Sequence, residues 1–303
     1  MDHVMVLMST YNGEKYLEEQ IMSILNQKEV FTEIYIRDDG SKDKTIDIIR
    51  RIQRCYPDRI EYEEGENLGY KRSFLKALAS AKESDFYAFS DQDDYWLEEK
   101  CIRAIEKIKG SNYELYCSAQ ILTDEKLNEI GMKSFSDVNP TIEGEFTRHR
   151  LPGCTFIFSN KVRKMAIPFA NLKLEDDRMP SHDMIISCLA LSIGDLYIDN
   201  TPYIMYRRLD SSITPGGQGI KKRIKHELVF LFQNKNRYSF MANSIIEKYS
   251  NFLDEEKRLF LLSVARYRTS FNSKLKLLMN KKMDCGVFIG NIENKVKIFF
   301  GSY

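Results

Sequence analysis

Three aspartates crowd one short segment in the first third of the chain. The segment reads Ser90-Asp91-Gln92-Asp93-Asp94-Tyr95-Trp96, and the apolar run before it, residues 85–89, has the character of a buried strand. Carboxylates this close raise one another's pKa unless a cation or hydrogen-bond donors compensate. Oxygen ligands suit Mg²⁺ or Mn²⁺, which keep open positions for phosphate oxygens. The Asp91-Gln92-Asp93 pair therefore favours a metal site that handles a phosphorylated substrate over a solvated loop.

Two further polar clusters follow predicted strands. Ser9-Thr10-Tyr11-Asn12-Gly13 lacks the glycine spacing of a dinucleotide fingerprint or a P-loop, which argues against a dehydrogenase or a P-loop NTPase. Alone it is best interpreted as a strand-to-helix turn. Asp38-Asp39-Gly40-Ser41 fits equally a turn with capping acids and a carboxylate that accepts the imide proton of a pyrimidine base.

Later polar residues admit two interpretations each. His182-Asp183 begins a predicted helix, where the acid is a cap favoured by the helix dipole or a general base. Without further context the cap is the safer interpretation. Tyr206-Arg207-Arg208 and Lys71-Arg72 are either surface charge or groups that clamp phosphate oxygens.

The elements that must position these residues alternate between strand and helix over the first 120 residues. Apolar runs predict strands at 4–8, 33–37, 60–62 and 85–89, and helical spacing predicts helices from about 17, 46 and 70. Such alternation predicts a mostly parallel sheet with helices on both faces. Ligands bind beyond the carboxyl ends of the strands in these sheets, so the clusters at 9–13, 38–41 and 90–94 should converge on one crevice.

The pattern loosens after Cys117. We expect a loop-rich excursion at 123–150 and a turn that enters a strand at 152–158. A helix capped by Ser181 is expected at 181–192. Short strands are expected near Ile198, Tyr203 and Tyr206, a flexible connector at 215–219, and amphipathic helices after 220.

Composition is that of an ordinary globular protein, with 43% apolar and 29% charged residues among 303. No apolar run approaches the roughly 20 residues that span a bilayer, and no secretory signal is visible, so we expect a cytoplasmic protein. The six cysteines show no CxxC or Cys/His pairing, which indicates reduced thiols.

The net charge of +1 hides an asymmetry. Residues 220–303 carry 17 Lys and Arg against 7 Asp and Glu. This basic region either faces something anionic, such as the inner face of the cell membrane or a pyrophosphate-linked lipid, or is a solvated helical face. We expect no nucleic-acid partner, and the sequence leaves the oligomeric state open.

Taken in order, these segments resemble the family 2 glycosyltransferases with the GT-A fold, and most of all the bacterial rhamnosyltransferase-like members that build polysaccharides. The likeness covers about residues 1–215. It implies a Rossmann-like α/β fold, with a mixed, mostly parallel sheet flanked by helices and a C-terminal helical extension. The implied domains are a catalytic domain at 1–215 and a basic helical region at 216–303. The matching residues are Ser9-Thr10-Tyr11-Asn12-Gly13, Asp38-Asp39-Gly40-Ser41, Asn67-Leu68-Gly69, Ser90 to Trp96, Gly153-Cys154-Thr155, His182-Asp183 and Tyr206-Arg207.

The resemblance implies a role for each position. Asp183 corresponds to the catalytic base, Asp93 to a ligand of Mn²⁺ or Mg²⁺, and Asp91 to a neighbour of both ribose and metal. The implied nucleotide contacts are Ser9, Thr10, Tyr11, Asp39, Lys71 and Asp91. The implied acceptor or pyrophosphate contacts are Gly153, Cys154, His182, Arg207 and Arg208.

One position departs from the family pattern. Relatives often place a His shortly after the Tyr-Arg pair as a further metal ligand, whereas this chain has Leu209 followed by Asp210. The metal is then expected to rely on Asp93, the diphosphate and water.

The expected activity is an inverting, metal-dependent transfer of a sugar from a nucleoside-diphosphate sugar. The implied donor is dTDP-rhamnose or a UDP-hexose, and the implied acceptor is a saccharide or a lipid-linked oligosaccharide. Two alternatives stay open at this point. A sugar-1-phosphate nucleotidyltransferase shares the nucleotide and metal chemistry, but it normally has a glycine-rich basic loop after the first strand. An inactive partner subunit that binds sugar nucleotide is the other.

Overall fold

The computed structural model describes residues 1–172, 174, 179–209 and 236–303. These residues form nine strands and eleven α-helices, numbered here in chain order. They divide into two compact units, which we describe separately. Unit 1 holds the described residues of 1–136, 151–172 and 196–209, and unit 2 those of 137–150, 174–195 and 236–303.

A mixed sheet forms the centre of unit 1. Its strand order is β3-β2-β1-β4-β8-β6-β9-β5, and β7 pairs with β6. Parallel pairing joins β1 with β2, β2 with β3 and β1 with β4. Antiparallel pairing joins β4 with β8, β8 with β6, β6 with β7 and β5 with β9. The strands are β1 (Asp2–Thr10), β2 (Val30–Asp38), β3 (Ile60–Glu64), β4 (Phe86–Ser90), β5 (Tyr95–Trp96), β6 (Tyr113–Thr123), β7 (Glu129–Lys133), β8 (Phe156–Ser159) and β9 (Asp195–Arg207).

The register brings the polar strand ends to one edge of the sheet. Thr10 pairs with Asp38, and Met8 pairs with Ser90. Apolar strand residues such as Val4 and Val6 are fully buried against the flanking helices. Those helices are α1 (Leu17–Leu25), α2 (Thr45–Cys55), α3 (Tyr70–Ser80), α4 (Lys100–Ile108) and α6 (Asn160–Ala166). The sheet therefore fixes the loops after β1, β2 and β4 relative to one another.

Unit 2 is helical. Its central helix α7 is buried along nearly its whole length, and α5, α8, α9, α10 and α11 pack in a chain of neighbouring pairs around it. The C-terminal residue Tyr303 is buried, and its hydroxyl donates to the carbonyl oxygen of Phe146 at 2.6 Å. The helices are α5 (Ile142–Thr147), α7 (His182–Ile193), α8 (Arg237–Tyr249), α9 (Glu255–Arg266), α10 (Phe271–Met279) and α11 (Phe288–Phe300).

The predicted α/β class, the first four strands and the helices between them are confirmed. Two expectations are corrected. The excursion at 123–150 contains β7 and α5, and the short strands expected near 198–206 form the single strand β9, because β9 pairs along the sheet.

The predicted boundary at 215/216, the connector at 215–219 and the apolar positions 228–231 lie outside the described residues. Among the helices that are described, none is long and apolar enough to cross a bilayer.

Candidate active site

Three loops interlock at the carboxyl edge of the sheet in unit 1. The Tyr11 amide donates to Gln92 Oε1 at 2.8 Å, and Gln92 Nε2 donates back to the Tyr11 carbonyl at 3.1 Å. The Asn12 amide donates to Ser41 Oγ at 2.9 Å. Gly13 leaves room for this arrangement, because a Cβ there would lie 2.4 Å from Gln92 Oε1. The clusters at 9–13, 38–41 and 90–94 are thus brought together, as their positions at strand ends predicted.

The predicted base-reading acid, Asp39, is buried and already bonded. Its Oδ1 accepts from Arg37 Nη1 at 2.5 Å and from the Leu68 amide at 2.8 Å, and its Oδ2 accepts from the Gly69 amide at 2.9 Å. These bonds fix the loop that leads into α3. One acceptor position of the carboxylate, on Oδ2, is left for a ligand.

The other predicted nucleotide contacts lie around the same edge. Ser9 Oγ donates to Ser73 Oγ at 2.6 Å, and buried Thr10 donates to Asp38 Oδ1 at 2.9 Å. The Tyr11 side chain is exposed, and Lys71 is half-buried in the first turn of α3.

The acidic loop brings two carboxylates and a thiol together. Ligand atoms of Asp91, Asp94 and Cys154 all lie within 4.8 Å of one another. Asp94 is only 1% exposed, and its Oδ1 accepts from the Arg207 amide at 3.2 Å. Its Oδ2 is buried without a hydrogen-bond partner among the described residues. Asp93, the ligand predicted from the sequence, is not part of this cluster.

The electrostatics of the loop fit a divalent cation. Burial, reinforced by Asp91 and Asp93, raises the pKa of Asp94 well above its usual value. Burial also raises the pKa of Asp93, against the opposing charge of Arg207. A bound cation would offset both effects and would complete the coordination of Asp94 Oδ2. Burial raises the pKa of the Cys154 thiol well above its usual value, so Cys154 is a poor ligand for Mg²⁺ or Mn²⁺ beside the two carboxylates.

A buried lysine lies behind this loop. Lys100 Nζ is 3.8 Å from the ring centroid of Trp96 and has no hydrogen-bond partner among the described residues. Burial lowers the pKa of Lys100 to about 8. Trp96 is itself buried, so it packs beneath the loop.

The Arg207 side chain is bonded to the acidic loop and to α1. Its Nη1 donates to the Asp93 carbonyl at 3.0 Å, its Nη2 pairs with Glu19, and its guanidinium lies 4.5 Å from the ring centroid of Tyr16. The predicted pyrophosphate contact would require Arg207 to leave these partners. Arg208 is half-buried, and its amide donates to the Thr123 carbonyl at 2.9 Å.

The remaining predicted acceptor residues of unit 1 lie in one turn. Gly153 and Cys154 form a 3₁₀ turn before β8, and Gln120 Nε2 contacts Cys154 Sγ at 3.3 Å. Leu209, which stands where relatives often have a histidine, follows β9, and Asp210 lies outside the described residues.

Unit 2 places a histidine between two carboxylates. His149 Nδ1 lies 2.6 Å from Glu145 Oε1, and His149 Nε2 lies 3.4 Å from Asp183 Oδ2. Ser187 Oγ donates to Glu145 Oε1 at 2.8 Å, and the His149 amide donates to the Tyr238 hydroxyl at 3.2 Å. The predicted base therefore has a cationic neighbour, and its Oδ1 also accepts from the Met184 amide at 2.8 Å in the first turn of α7, as a capping acid would.

The charges in this cluster reinforce one another. Burial lowers the pKa of His149, but Glu145 and Asp183 outweigh burial and raise it to about 10. Burial likewise opposes ionisation of Asp183, but His149 outweighs it and holds the pKa of Asp183 well below its usual range. Burial lowers the pKa of the adjacent His182 to about 4. At neutral pH, Asp183 is ionised, His149 is protonated and His182 is neutral.

The sequence pattern does not point to Glu145 or His149, and it places Asp94 in the acidic segment without marking it as a ligand. The i, i+4 spacing of Glu145 and His149 is the helical signal that was available, but the surrounding segment resembled a loop. The D-x-D pattern favours Asp91 and Asp93 as ligands and leaves Asp94 as a cap for the segment that follows.

Comparisons with known proteins identify the family. A model of glycosyl transferase family 2 matches residues 5–165. The chain is 30% identical over 239 residues to the dTDP-rhamnosyl transferase RfbG of Shigella flexneri. The aligned region covers 75% of this chain and 80% of RfbG. It is 35% identical over 105 residues to the putative teichuronic acid biosynthesis glycosyltransferase TuaG of Bacillus subtilis, covering 34% of this chain and 40% of TuaG.

Solved structures agree on the fold. Residues 1–349 of Staphylococcus aureus TarS in complex with UDP-GlcNAc superpose with a TM-score of 0.57 at 16% identity, covering all of this chain and 82% of that one. TarS is a GT-A glycosyltransferase. The family match also favours sugar transfer over the nucleotidyltransferase alternative. The chain belongs to glycosyltransferase family 2 and is a nucleotide-sugar glycosyltransferase with the GT-A fold.

Proposed function

We propose that this protein transfers a sugar from dTDP-rhamnose or a UDP-hexose, with inversion at the anomeric carbon, in cell-surface polysaccharide synthesis. The acceptor is a saccharide or a lipid-linked oligosaccharide, and the reaction takes place at the cytoplasmic face of the membrane. The observation that carries the proposal is the pair of carboxylates formed by half-buried Asp91 and buried Asp94, set beside the interlocked loops at the carboxyl edge of the sheet. The names of RfbG and of the TarS complex support the choice of donors.

The nucleotide contacts of the proposal lie in unit 1. Ser9, Thr10 and Tyr11 contact the nucleotide, Asp39 contacts the base through its remaining acceptor position, and Lys71 contributes positive charge. Asp91 lies on the ribose side. The Tyr11–Gln92 bonds support this assignment because they hold the loop after β1 in one conformation.

Asp91 and Asp94 would hold a Mg²⁺ or Mn²⁺ ion. The family pattern implies Asp93 as a ligand as well. The orphaned Asp94 Oδ2 and the raised pKa values of Asp93 and Asp94 support a cation at this place. When bound, such an ion neutralises the charge that develops on the departing nucleoside diphosphate.

Asp183 acts as the base of a single displacement. The acceptor hydroxyl oxygen forms a bond to the anomeric carbon while the bond from that carbon to the phosphate oxygen breaks. The nucleoside diphosphate leaves with the electron pair, and the hydroxyl proton passes to Asp183. The protonated His149 keeps Asp183 in the ionised form that a base requires, while the lowered pKa makes Asp183 a weaker base. His182, Gly153, Cys154 and Arg208 are assigned to the acceptor side.

A donor screen tests the proposal. Thermal unfolding is measured with UDP-, dTDP- and GDP-sugars in the presence of manganese, and the donors that raise Tm are then assayed for turnover. The product anomer is assigned by NMR. Asp183→Asn and Asp93→Ala should each abolish transfer, whereas Glu247→Gln, an exposed carboxylate of unit 2, should retain it. Near wild-type transfer by both Asp183→Asn and Asp93→Ala would refute the assignment of these roles.

A further inference from the structure

Helix α11 buries a polar side and exposes an apolar side, the reverse of the usual amphipathic helix. Its charged and polar residues Glu293, Asn294 and Lys297 are buried, whereas its largest apolar side chains face outward. Phe288 is 78% exposed, and Phe300 is 77% exposed. At about 100° per residue, the outward apolar residues span an arc of about 120°. They are Phe288, Ile289, Ile292, Val296, Phe299 and Phe300.

Ion pairs hold α11 in this orientation. Glu293 Oε1 lies 2.7 Å from Lys297 Nζ, and Glu293 Oε2 lies 3.2 Å from Arg148 Nη1. On the same buried side, a Cβ on Gly290 would lie 2.8 Å from Cys285 Sγ, so the helix approaches its neighbours closely there. Rotating α11 to bury its apolar side would expose these contacts and leave Arg148 without the Glu293 carboxylate. The ion pairs of Glu293 therefore oppose such a rotation.

Helix α10, next to α11, also carries exposed apolar side chains. It packs against α11, and Lys274 Nζ donates to the Phe299 carbonyl at 3.0 Å. Three of its apolar side chains, at i, i+4 and i+8 spacing, are exposed. They are Phe271, Leu275 and Met279. Together with the six residues of α11 they form what we call the apolar face. Contiguous exposed apolar surface of this kind marks a site of contact with protein or membrane.

The charge around the apolar face points to its occupant. Residues 266–303 contain eight Lys and Arg but only two Asp and Glu, and the buried pair of Glu293 with Lys297 removes one residue of each sign from the surface. Lys276 and Lys295 are exposed at the edges of the apolar residues on their helices. A second copy of this chain would bring like charges together, whereas anionic lipid headgroups complement them.

We propose that the apolar face inserts into the surface of an anionic phospholipid bilayer, with α10 and α11 lying in the plane of the interface. Exposed phenylalanines and branched side chains flanked by lysines are typical of helices that bind at this depth. The proposal gives a structural basis to the membrane contact included in the proposed function, but it does not depend on the sugar-transfer chemistry.

Vesicle flotation of the full chain tests the proposal. Vesicles of phosphatidylglycerol and phosphatidylcholine are compared with vesicles of phosphatidylcholine alone, at low and high salt. We expect the wild-type protein to float with the anionic vesicles at low salt. The triple variant Phe288→Gln, Ile292→Gln, Phe299→Gln should partition at least about tenfold more weakly, because insertion scales with the apolar area buried. Lys276→Glu combined with Lys295→Glu should weaken binding mainly at low salt.

A matched control removes equally exposed apolar residues elsewhere. Ile130→Gln with Met132→Gln, on β7 of unit 1, should leave vesicle binding unchanged. Circular dichroism and the donor-induced rise in Tm check that every variant is folded. Tryptophan fluorescence is a second measurement. In the Phe300→Trp variant, brominated lipids should quench the fluorescence of the new tryptophan, whereas they should not quench that of the native Trp96, which is buried.

Three results would overturn the proposal. One is failure of the wild-type protein to bind anionic vesicles at low salt, and another is undiminished binding by the triple variant. The third is a concentration-dependent oligomer that the triple variant abolishes in the absence of vesicle binding, which would assign the apolar face to self-association. Sugar transfer to a short soluble acceptor should survive in the triple variant, so loss of membrane binding and loss of the proposed activity are distinguishable.

Discussion

His149 Nε2 lies 3.4 Å from Asp183 Oδ2, and the other nitrogen of the same imidazole lies 2.6 Å from Glu145 Oε1. The two carboxylates come from different helices of unit 2, α5 and α7. A protonated His149 between them balances one charge of the pair and keeps Asp183 ionised. In the proposed reaction, His149 is a positioning residue that acts through the base Asp183.

The first prediction concerns the pH dependence of transfer. Because His149 holds the pKa of Asp183 below its usual range, the wild-type rate should show no loss attributable to Asp183 protonation between about pH 5 and 8. His149→Gln removes the cation and leaves burial unopposed, so the pKa of Asp183 should rise. We expect the acid limb of the kcat profile to move upward by at least about one pH unit, with KM for the donor little changed.

His3→Gln is the control for this prediction, because His3 is exposed in unit 1 next to Glu33. Its profile should match that of the wild-type protein. Superimposable acid limbs for the wild-type protein and His149→Gln would show that His149 does not set the protonation of Asp183.

The second prediction concerns stability. The pKa of His149 is raised from 6.5 to about 10 in the folded protein, so its contribution to stability is fully present below about pH 6.5. That contribution is lost as the pH rises toward 10, because the unfolded chain releases this proton first. Asp183 behaves oppositely: its pKa is lowered, so its contribution is present above about pH 4 and is lost in stronger acid.

Urea unfolding at pH 6 and pH 10 measures the His149 contribution. The wild-type protein should exceed His149→Gln in free energy of unfolding at pH 6, and the difference should shrink at pH 10 by at most about 1.4 kcal/mol per unit of pKa shift. A difference that does not change with pH would contradict the raised pKa of His149.

The third prediction separates Asp94 from Asp93. Asp94 is buried, its Oδ2 lacks a hydrogen-bond partner among the described residues, and it lies with Asp91 in the cluster that fits a cation. Asp94→Asn should therefore leave Tm unchanged or raised without metal, because a buried charge is removed. It should also weaken manganese binding by about tenfold or more, measured by calorimetry or by the manganese-dependent rise in Tm.

Asp58→Asn, at an exposed position of unit 1, should bind manganese as the wild-type protein does. If Asp93→Asn abolished manganese binding while Asp94→Asn retained it, the ligand expected from the family pattern would be correct and the geometric assignment would fail.

The fourth prediction tests the interlocked loops. Alanine at Gly13 places its Cβ 2.4 Å from Gln92 Oε1, so the Gln92 side chain must move away from Tyr11. The two Tyr11–Gln92 hydrogen bonds are then lost, at about 1 kcal/mol each. We expect nucleotide Kd to rise about fivefold to tenfold. Gln92→Ala removes the same bonds without a clash and should have a similar effect. Wild-type affinity in both variants would exclude a role for this contact.

The amino-acid sequence by itself determined the α/β class and the places where polar loops meet. Apolar residues such as Val4, Val6 and Met8 define β1, and the polar clusters after β1, β2 and β4 had to share an edge because parallel strands end on the same side. These features depend on local periodicity and on a topology with few alternatives, so they could be predicted without coordinates.

Tertiary structure decided which neighbouring side chain does what. Asp93 and Asp94 are adjacent, and only the turn between β4 and β5, fixed by Arg207, directs Asp94 rather than Asp93 into the cluster with Asp91. Similarly, His149 is far from Asp183 in sequence, and the packing of α5 against α7 creates their contact. Local pattern carries no information about such contacts between distant segments.

The orientation of α11 follows the same rule. Its sequence shows one apolar and one polar side, and the usual expectation buries the apolar side. The folded chain instead buries Glu293 and Lys297, which pair with each other, and Glu293 also pairs with Arg148 from a distant segment. The sequence determined that α11 has two faces, and only the long-range ion pair decided which of them points outward.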